Sequence, residues 1–255
     1  MSLLEIKDLS MHFGGLVAVS DFELDMEAGE LVGLIGPNGS GKTTVFNMLS
    51  GFYEPTKGSI HFDGSDITGL RPDRIAARGV VRIFQNGRLF KSMTALENVL
   101  MGHHMRLRSS SPFAAVLQTP RYLRNDTEAR EECEALLEDL GLGNMKDEEA
   151  GALPFGIQRK LEVARALATH PKLLLLDEPM TGLSAEEMSE MVDYIDQVRE
   201  GFDMTILLVE HTMAVIMTIC PRIVVLDHGI TIAEGTPSEI QNDPGVIEAY
   251  LGVEE

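Results

Sequence analysis

The sequence predicts an α/β fold on a mainly parallel sheet, and three observations carry that expectation. First, strand-like runs occur at 3–6, 31–35, 80–84, 173–176, 205–209 and 223–226, and several are continuously apolar, not alternating. Such runs suit strands covered on both faces. Second, helical patterns lie between them. Residues 43–49 follow a Gly-rich segment; 128–140 place Ala129, Cys133, Leu136, Leu137 and Leu140 on one face. Residues 156–168 do the same with Ile157, Leu161, Ala164 and Leu167, and 185–199 follow a Gly182-Leu183-Ser184 turn with Ser184 as N-cap. Third, 86–168 lacks strand signals and reads as a helical insertion between two parts of the core. Ser109, Ser110, Ser111 and Pro112 mark a loop within it. The expected organisation is one domain, 1–255, with a core lobe of 1–85 and 169–255 and a helical lobe of 86–168.

Composition narrows the class. The 255 residues are 44% apolar, as in an ordinary globular chain. No apolar stretch approaches the roughly 18 residues that span a bilayer. Met1 to Asp8 carries Glu5 and Asp8 and has no basic patch before an apolar run, so no secretory signal is expected. Cys133 and Cys220 have no metal-ligand spacing and read as buried, reduced thiols. The net charge of −19 repels phosphate backbones and anionic lipid, which disfavours a nucleic-acid partner. An acidic chain that binds a polyanion must build a local positive pocket.

One segment does that. Gly36-Pro37-Asn38-Gly39-Ser40-Gly41-Lys42-Thr43, continued by Thr44, lies between a buried strand and a helix, the context a phosphate-binding loop needs. Its glycines let backbone N–H groups point inward, and the helix start adds a positive dipole end. Lys42 reaches terminal phosphates and the Thr43 hydroxyl can ligate Mg²⁺. The second segment is Leu173-Leu174-Leu175-Leu176-Asp177-Glu178-Pro179, an apolar strand ending in two acids. Asp177 would hold Mg²⁺ and Glu178 would orient or deprotonate an attacking water. Gln85, after the 80–84 strand, is placed to contact the metal or the water. His211, after the 205–209 strand, is placed to approach a γ-phosphate. Alone, either residue reads as a polar group at the core edge.

A fifth segment, Leu153-Pro154-Phe155-Gly156-Ile157-Gln158, precedes a helix and then the acid-tipped strand. In this order the segments resemble the nucleotide-binding subunit of ATP-binding-cassette (ABC) transporters over essentially the whole chain. Gly36 to Thr43 matches the Walker A loop, Gln85 the Q-loop, Leu153 to Gln158 the signature and Leu173 to Glu178 Walker B. Gly182 to Ala185 matches the D-loop and His211 the H-loop. Within that class, Phe13 to Val19, Asn47 to Pro55 and the C-terminal stretches Gly235-Thr236-Pro237 and Ala249-Tyr250-Leu251-Gly252 look like branched-chain amino-acid importer ATPases.

The resemblance implies a P-loop NTPase core with a mainly parallel sheet, an N-terminal antiparallel β subdomain and a helical insertion subdomain. It implies ATP and Mg²⁺ as cofactors and Phe13 as the ring that stacks on adenine. It also implies integral-membrane permease subunits, a second ATPase subunit and, indirectly, an extracytoplasmic solute-binding protein as partners. The implied location is peripheral, on the cytoplasmic face of the membrane. In the family, the signature of one cassette covers the γ-phosphate held by its partner, so Pro154, Phe155 and Gly156 would face the partner's nucleotide. The chain departs from the usual Leu-Ser-Gly-Gly-Gln: Pro154 stands at the serine, Phe155 at a glycine and Ile157 at the glutamine, and Ser184 replaces the D-loop aspartate. Proline supplies neither the hydroxyl nor an N–H, which leaves the Gly156 N–H and the helix dipole to face phosphate. Two other readings stay open from the residues alone: a regulatory or hydrolysis-impaired cassette, and a soluble non-transport cassette ATPase.

Overall fold

The computed structural model describes residues 2–85, 89–104 and 120–251. The loop expected at Ser109 to Pro112 lies outside them. In chain order the elements begin β1 (Leu4–Phe13), β2 (Leu16–Met26), β3 (Leu31–Ile35), α1 (Lys42–Leu49), β4 (Lys57–Phe62) and β5 (Ser65–Asp66). Next come α2 (Pro72–Ala76), β6 (Val80–Ile83), α3 (Ala95–His104), α4 (Pro120–Asp139), α5 (Phe155–Leu167), β7 (Leu173–Asp177), α6 (Ala185–Phe202) and β8 (Thr205–Val209). The chain closes with α7 (Met213–Ile219), β9 (Arg222–Asp227), β10 (Ile230–Gly235), α8 (Pro237–Asn242) and α9 (Pro244–Leu251).

Two units emerge from the packing. The first comprises Met1–Gln85, Lys172–Thr181 and Val198–Glu255; the second comprises Asn86–Pro171 and Gly182–Gln197. The second unit runs to Pro171 and also takes in the turn and most of the helix that follow β7, a grouping unlike the contiguous 86–168 lobe expected from the sequence. That grouping depends on spatial neighbours, which a linear reading does not contain.

The first unit holds both sheets. One is antiparallel, in the order β2-β1-β4-β5; the other has six strands in the order β10-β9-β3-β8-β7-β6. All neighbours in the second are parallel except β10 with β9. Every residue of β3, β7 and β8 is buried, as continuous apolar runs demand. One apolar cluster joins Phe22 and Phe62 of the antiparallel sheet, Val45, Phe46 and Leu49 of α1, and Leu34, Leu207 and Leu226 of the parallel sheet. The helix that follows the phosphate loop is therefore anchored by its own core face.

Several elements escaped the linear reading. β2 alternates Phe22, Leu24 and Met26 inward with Asp21, Glu23 and Asp25 outward, and the acids mask its strand character. β1 runs well past position 6, through irregular registers and an Asp8 in the left-handed region at φ 50°. α4 starts at Pro120, earlier than position 128. Cys133 and Cys220 are buried and not joined to one another; burial pushes the Cys133 thiol up to about 12. Among the described residues, no helix is long and apolar enough to cross a membrane.

Candidate active site

The parallel strands deliver their polar residues to one edge of the sheet. The phosphate loop follows β3, Gln85 follows β6, Asp177 ends β7 and Glu178 follows it, His211 follows β8 and His228 follows β9. The carboxyl ends of strands are where open α/β sheets bind ligands.

The loop's geometry fits a phosphate. Gly36 sits at φ 151°, and a Cβ there would lie 2.0 Å from the Leu226 carbonyl oxygen, so only glycine lets the loop turn this close to β9. Gly41, at φ 109°, is the N-cap of α1 and no side chain caps the helix. The N–H groups of its first turn are thus left to a ligand. Lys42 is buried, and its Nζ donates to the carbonyls of Gly36 (2.7 Å) and Pro37 (2.9 Å) and to Ser40 Oγ (3.3 Å). Burial lowers its pKa, opposed by the charges of Glu178 and Asp177. A cleft of about 420 Å³ opens here, lined by Asn38, Gly39, Ser40, Gly41, Lys42, Thr43 and Thr44, and faced by Glu178, His211 and His228. Its apolar wall is Leu16, Val17 and Ala18. Phe13 is not among the lining residues; it is exposed at the end of β1, with its ring edge-on to Tyr53 at 5.3 Å between centroids.

Opposite the loop, Glu178 collects the residues that the sequence scattered. Its Oε2 accepts from Gln85 Nε2 (2.5 Å) and Thr181 Oγ1 (3.3 Å), and its Oε1 meets His211 Nε2 at 2.5 Å. Glu178 itself is left-handed at φ 50°, a costly conformation for a side chain of this size. That backbone turn aims the carboxylate off the strand axis. The neighbouring Asp177 accepts from Arg82 Nη2 at 2.6 Å through its Oδ2.

Linear reasoning missed Glu210. It is 3% exposed, and its Oε1 accepts the Met180 N–H (2.7 Å) while Oε2 accepts the His211 N–H (3.1 Å). Burial raises its pKa, opposed by those N–H groups. One carboxylate thereby ties the backbone just after Walker B to the backbone of the H-loop. The available signal was an acid directly preceding His211 at the end of an apolar strand.

The second unit carries the signature segment. Pro154 is the N-cap of α5 and provides no cap bond, and Phe155 begins the helix. The Gly156 N–H donates to Glu187 Oε1 at 3.3 Å. The other oxygen of Glu187 accepts the Ser184 N–H at 2.8 Å, and Ser184 Oγ accepts the Glu187 N–H at 3.3 Å. The expected Ser184 cap is therefore present as a reciprocal capping box. Arg159 lies 4.9 Å from the centre of the exposed Phe155 ring.

A buried parallel sheet, a glycine-built phosphate loop after β3 and an acid-tipped strand β7 one strand removed from it, across β8, define a P-loop ATPase. The family model described as ABC transporter matches residues 19–181, and one described as branched-chain amino acid ATP-binding cassette transporter matches 231–255. The chain belongs to the ABC transporter family, as an ATP-binding and ATP-hydrolysing subunit. It is 46% identical to the high-affinity branched-chain amino acid transport ATP-binding protein BraF of Pseudomonas aeruginosa, over 98% of each chain. It is 45% identical to LivG of Escherichia coli, which carries the same description, again over 98% of each. Among solved structures it resembles the ADP conformation of MJ1267, an ATP-binding cassette of an ABC transporter, with a TM-score of 0.85 at 30% identity and 99% coverage of both chains.

Proposed function

We propose that this chain couples ATP hydrolysis to the import of branched-chain amino acids, as one of two cassettes docked on integral-membrane permease subunits at the cytoplasmic face. The solute rests on the names of the relatives and on the C-terminal match. Hydrolysis rests chiefly on Glu178, a carboxylate held by Gln85 and His211 across the cleft from Lys42.

In this reading the phosphates of ATP lie along the loop N–H groups and Lys42. Thr43, Gln85 and Asp177 would hold Mg²⁺, which supplies charge neutralisation on the phosphates when bound. Glu178 orients the attacking water and accepts its proton. His211 fixes the Glu178 carboxylate and, with Lys42, offsets negative charge developing on the transferred phosphoryl group. Leu16 and Val17 offer the base an apolar wall, beside Phe13. The exposed Phe52 and Phe84 rings, edge to face at 5.6 Å, adjoin Gln85 and offer the permease an apolar contact.

The two composite sites of such a pair are unequal. The site using this chain's Lys42, Asp177 and Glu178 is completed by the partner cassette's signature and carries most turnover. The site completed by Pro154, Phe155 and Gly156 is slow, because proline brings no hydroxyl and the Gly156 N–H is already bonded to Glu187. The test is turnover of the reconstituted importer with leucine, isoleucine or valine and the solute-binding protein. Glu178→Gln should lower both ATPase and uptake by about 100-fold or more. Near-normal turnover in that variant, with loss on the equivalent partner change, refutes the asymmetry. Stimulation by some other solute and by no branched-chain amino acid refutes the substrate.

A further inference from the structure

We propose that Arg82 is the positioning residue for the metal-binding carboxylate Asp177, locking it to the helix that starts with Lys42 and Thr43. The inference rests on reading Asp177 as a Mg²⁺ ligand. Arg82 lies on β6, three residues before Gln85, on a strand only 4 residues long. Its side chain is 5% exposed. A guanidinium is buried this deeply only at a large desolvation cost, which well-placed partners must offset. Those partners come from two elements. Nη2 donates to Asp177 Oδ2 at 2.6 Å, while Nη1 donates to Asn47 Oδ1 at 2.7 Å and Ser50 Oγ at 3.2 Å. Asn47 lies on α1 and Ser50 is its C-cap.

The planar fork therefore spans from the end of β7 to the phosphate-loop helix, as a flexible ammonium cannot. Its faces are closed by rings, with the Phe84 centroid at 4.6 Å and the Phe46 centroid at 5.6 Å. Phe46 is fully buried in the core, so the guanidinium is held on an immobile support. Among the described residues no donor is bonded to Asp177 Oδ1, which leaves that oxygen for a cation. Three residues assigned to the metal then share one frame: Thr43 through α1, Asp177 through the fork and Gln85 through β6. A side chain that only filled the core would not need to join the Asp177 carboxylate to α1.

The experiment measures Mn²⁺ affinity of the nucleotide-loaded protein by electron paramagnetic resonance, and nucleotide affinity in EDTA by fluorescence. Arg82→Lys should weaken Mn²⁺ by about 10-fold while metal-free nucleotide affinity stays within about twofold. Asn47→Ala should weaken Mn²⁺ in the same direction by less. In an Asp177→Asn background Arg82→Lys should have no further effect, because the fork then has no carboxylate to hold. Unchanged Mn²⁺ affinity in folded Arg82→Lys overturns the inference, as does an equal loss in the Asp177→Asn background. If Arg82→Lys does not fold, Asn47→Ala decides, and an unchanged value there is equally fatal. If Asp177→Asn alone leaves Mn²⁺ binding intact, the assignment of Asp177 as ligand fails, and that outcome is distinct from a failure of Arg82.

Discussion

Replacing Glu210 by glutamine keeps the shape of the side chain and removes one of its two acceptors. In the native site Met180 and His211 each send a backbone N–H to a different oxygen, at 2.7 and 3.1 Å. An amide accepts one of them and turns its NH₂ toward the other, leaving a donor facing a donor in a site only 3% exposed. An unsatisfied buried N–H costs about 1–3 kcal/mol, so destabilisation of that size is expected at neutral pH in urea unfolding. The pH dependence gives a second reading. Burial raises the Glu210 carboxyl above its ordinary value of 4.5. A pKa raised by folding contributes stability that is fully present below the unfolded value and lost as pH rises through the folded one. The native protein should therefore gain on the variant as pH falls from neutrality toward about 4.5. Turnover of the assembled transporter should fall by about 10-fold or more, since the Glu178–His211 geometry hangs on these two backbones. A variant with native stability and native turnover would refute the idea that Glu210 braces the site.

Three further outcomes are expected. Gly36→Ala forces a Cβ to within 2.0 Å of the Leu226 carbonyl oxygen; a loss of about 2 kcal/mol or more, with weakened nucleotide binding, is expected by thermal shift with and without ATP. Glu187 is held below the usual carboxylate range by the Ser184 and Gly156 N–H groups. A lowered pKa contributes stability that is present above the unfolded value of 4.5 and lost as pH falls through the folded value. Glu187→Gln should remove that acid-range loss, read as a flatter stability profile between about pH 3 and 6. Leu175→Ala, at a fully buried position of β7, should cost about 2–5 kcal/mol in urea unfolding, and an effect below 1 kcal/mol would contradict the packing described around the acid-tipped strand.

The chemistry-bearing segments were legible because each is local. The phosphate loop needs only glycines, a lysine and a threonine between a strand and a helix, and all of these are consecutive. Asp177 and Glu178 announce themselves by ending an apolar run. The buried strands β3 and β8 carry the limits read from the sequence because both faces are covered and the apolar run is unbroken. β2 was obscured for the opposite reason, since its outward acids break the run.

The sequence by itself determined that a phosphate loop and a strand-end acid pair sit on an α/β core, since consecutive residues encode both. The tertiary structure alone decided what each acid touches. Arg82 and Asp177 are 95 positions apart, and they meet because β6 and β7 are paired in parallel, with Ile83 opposite Leu176. Glu210 reaches Met180 because β8 lies beside β7. Glu187 occupies the Gly156 N–H because the turn before α6 packs against the start of α5 within the second unit. Strand order and close approach are properties of the packed chain, and no period or spacing along the sequence records which buried charge will find which partner.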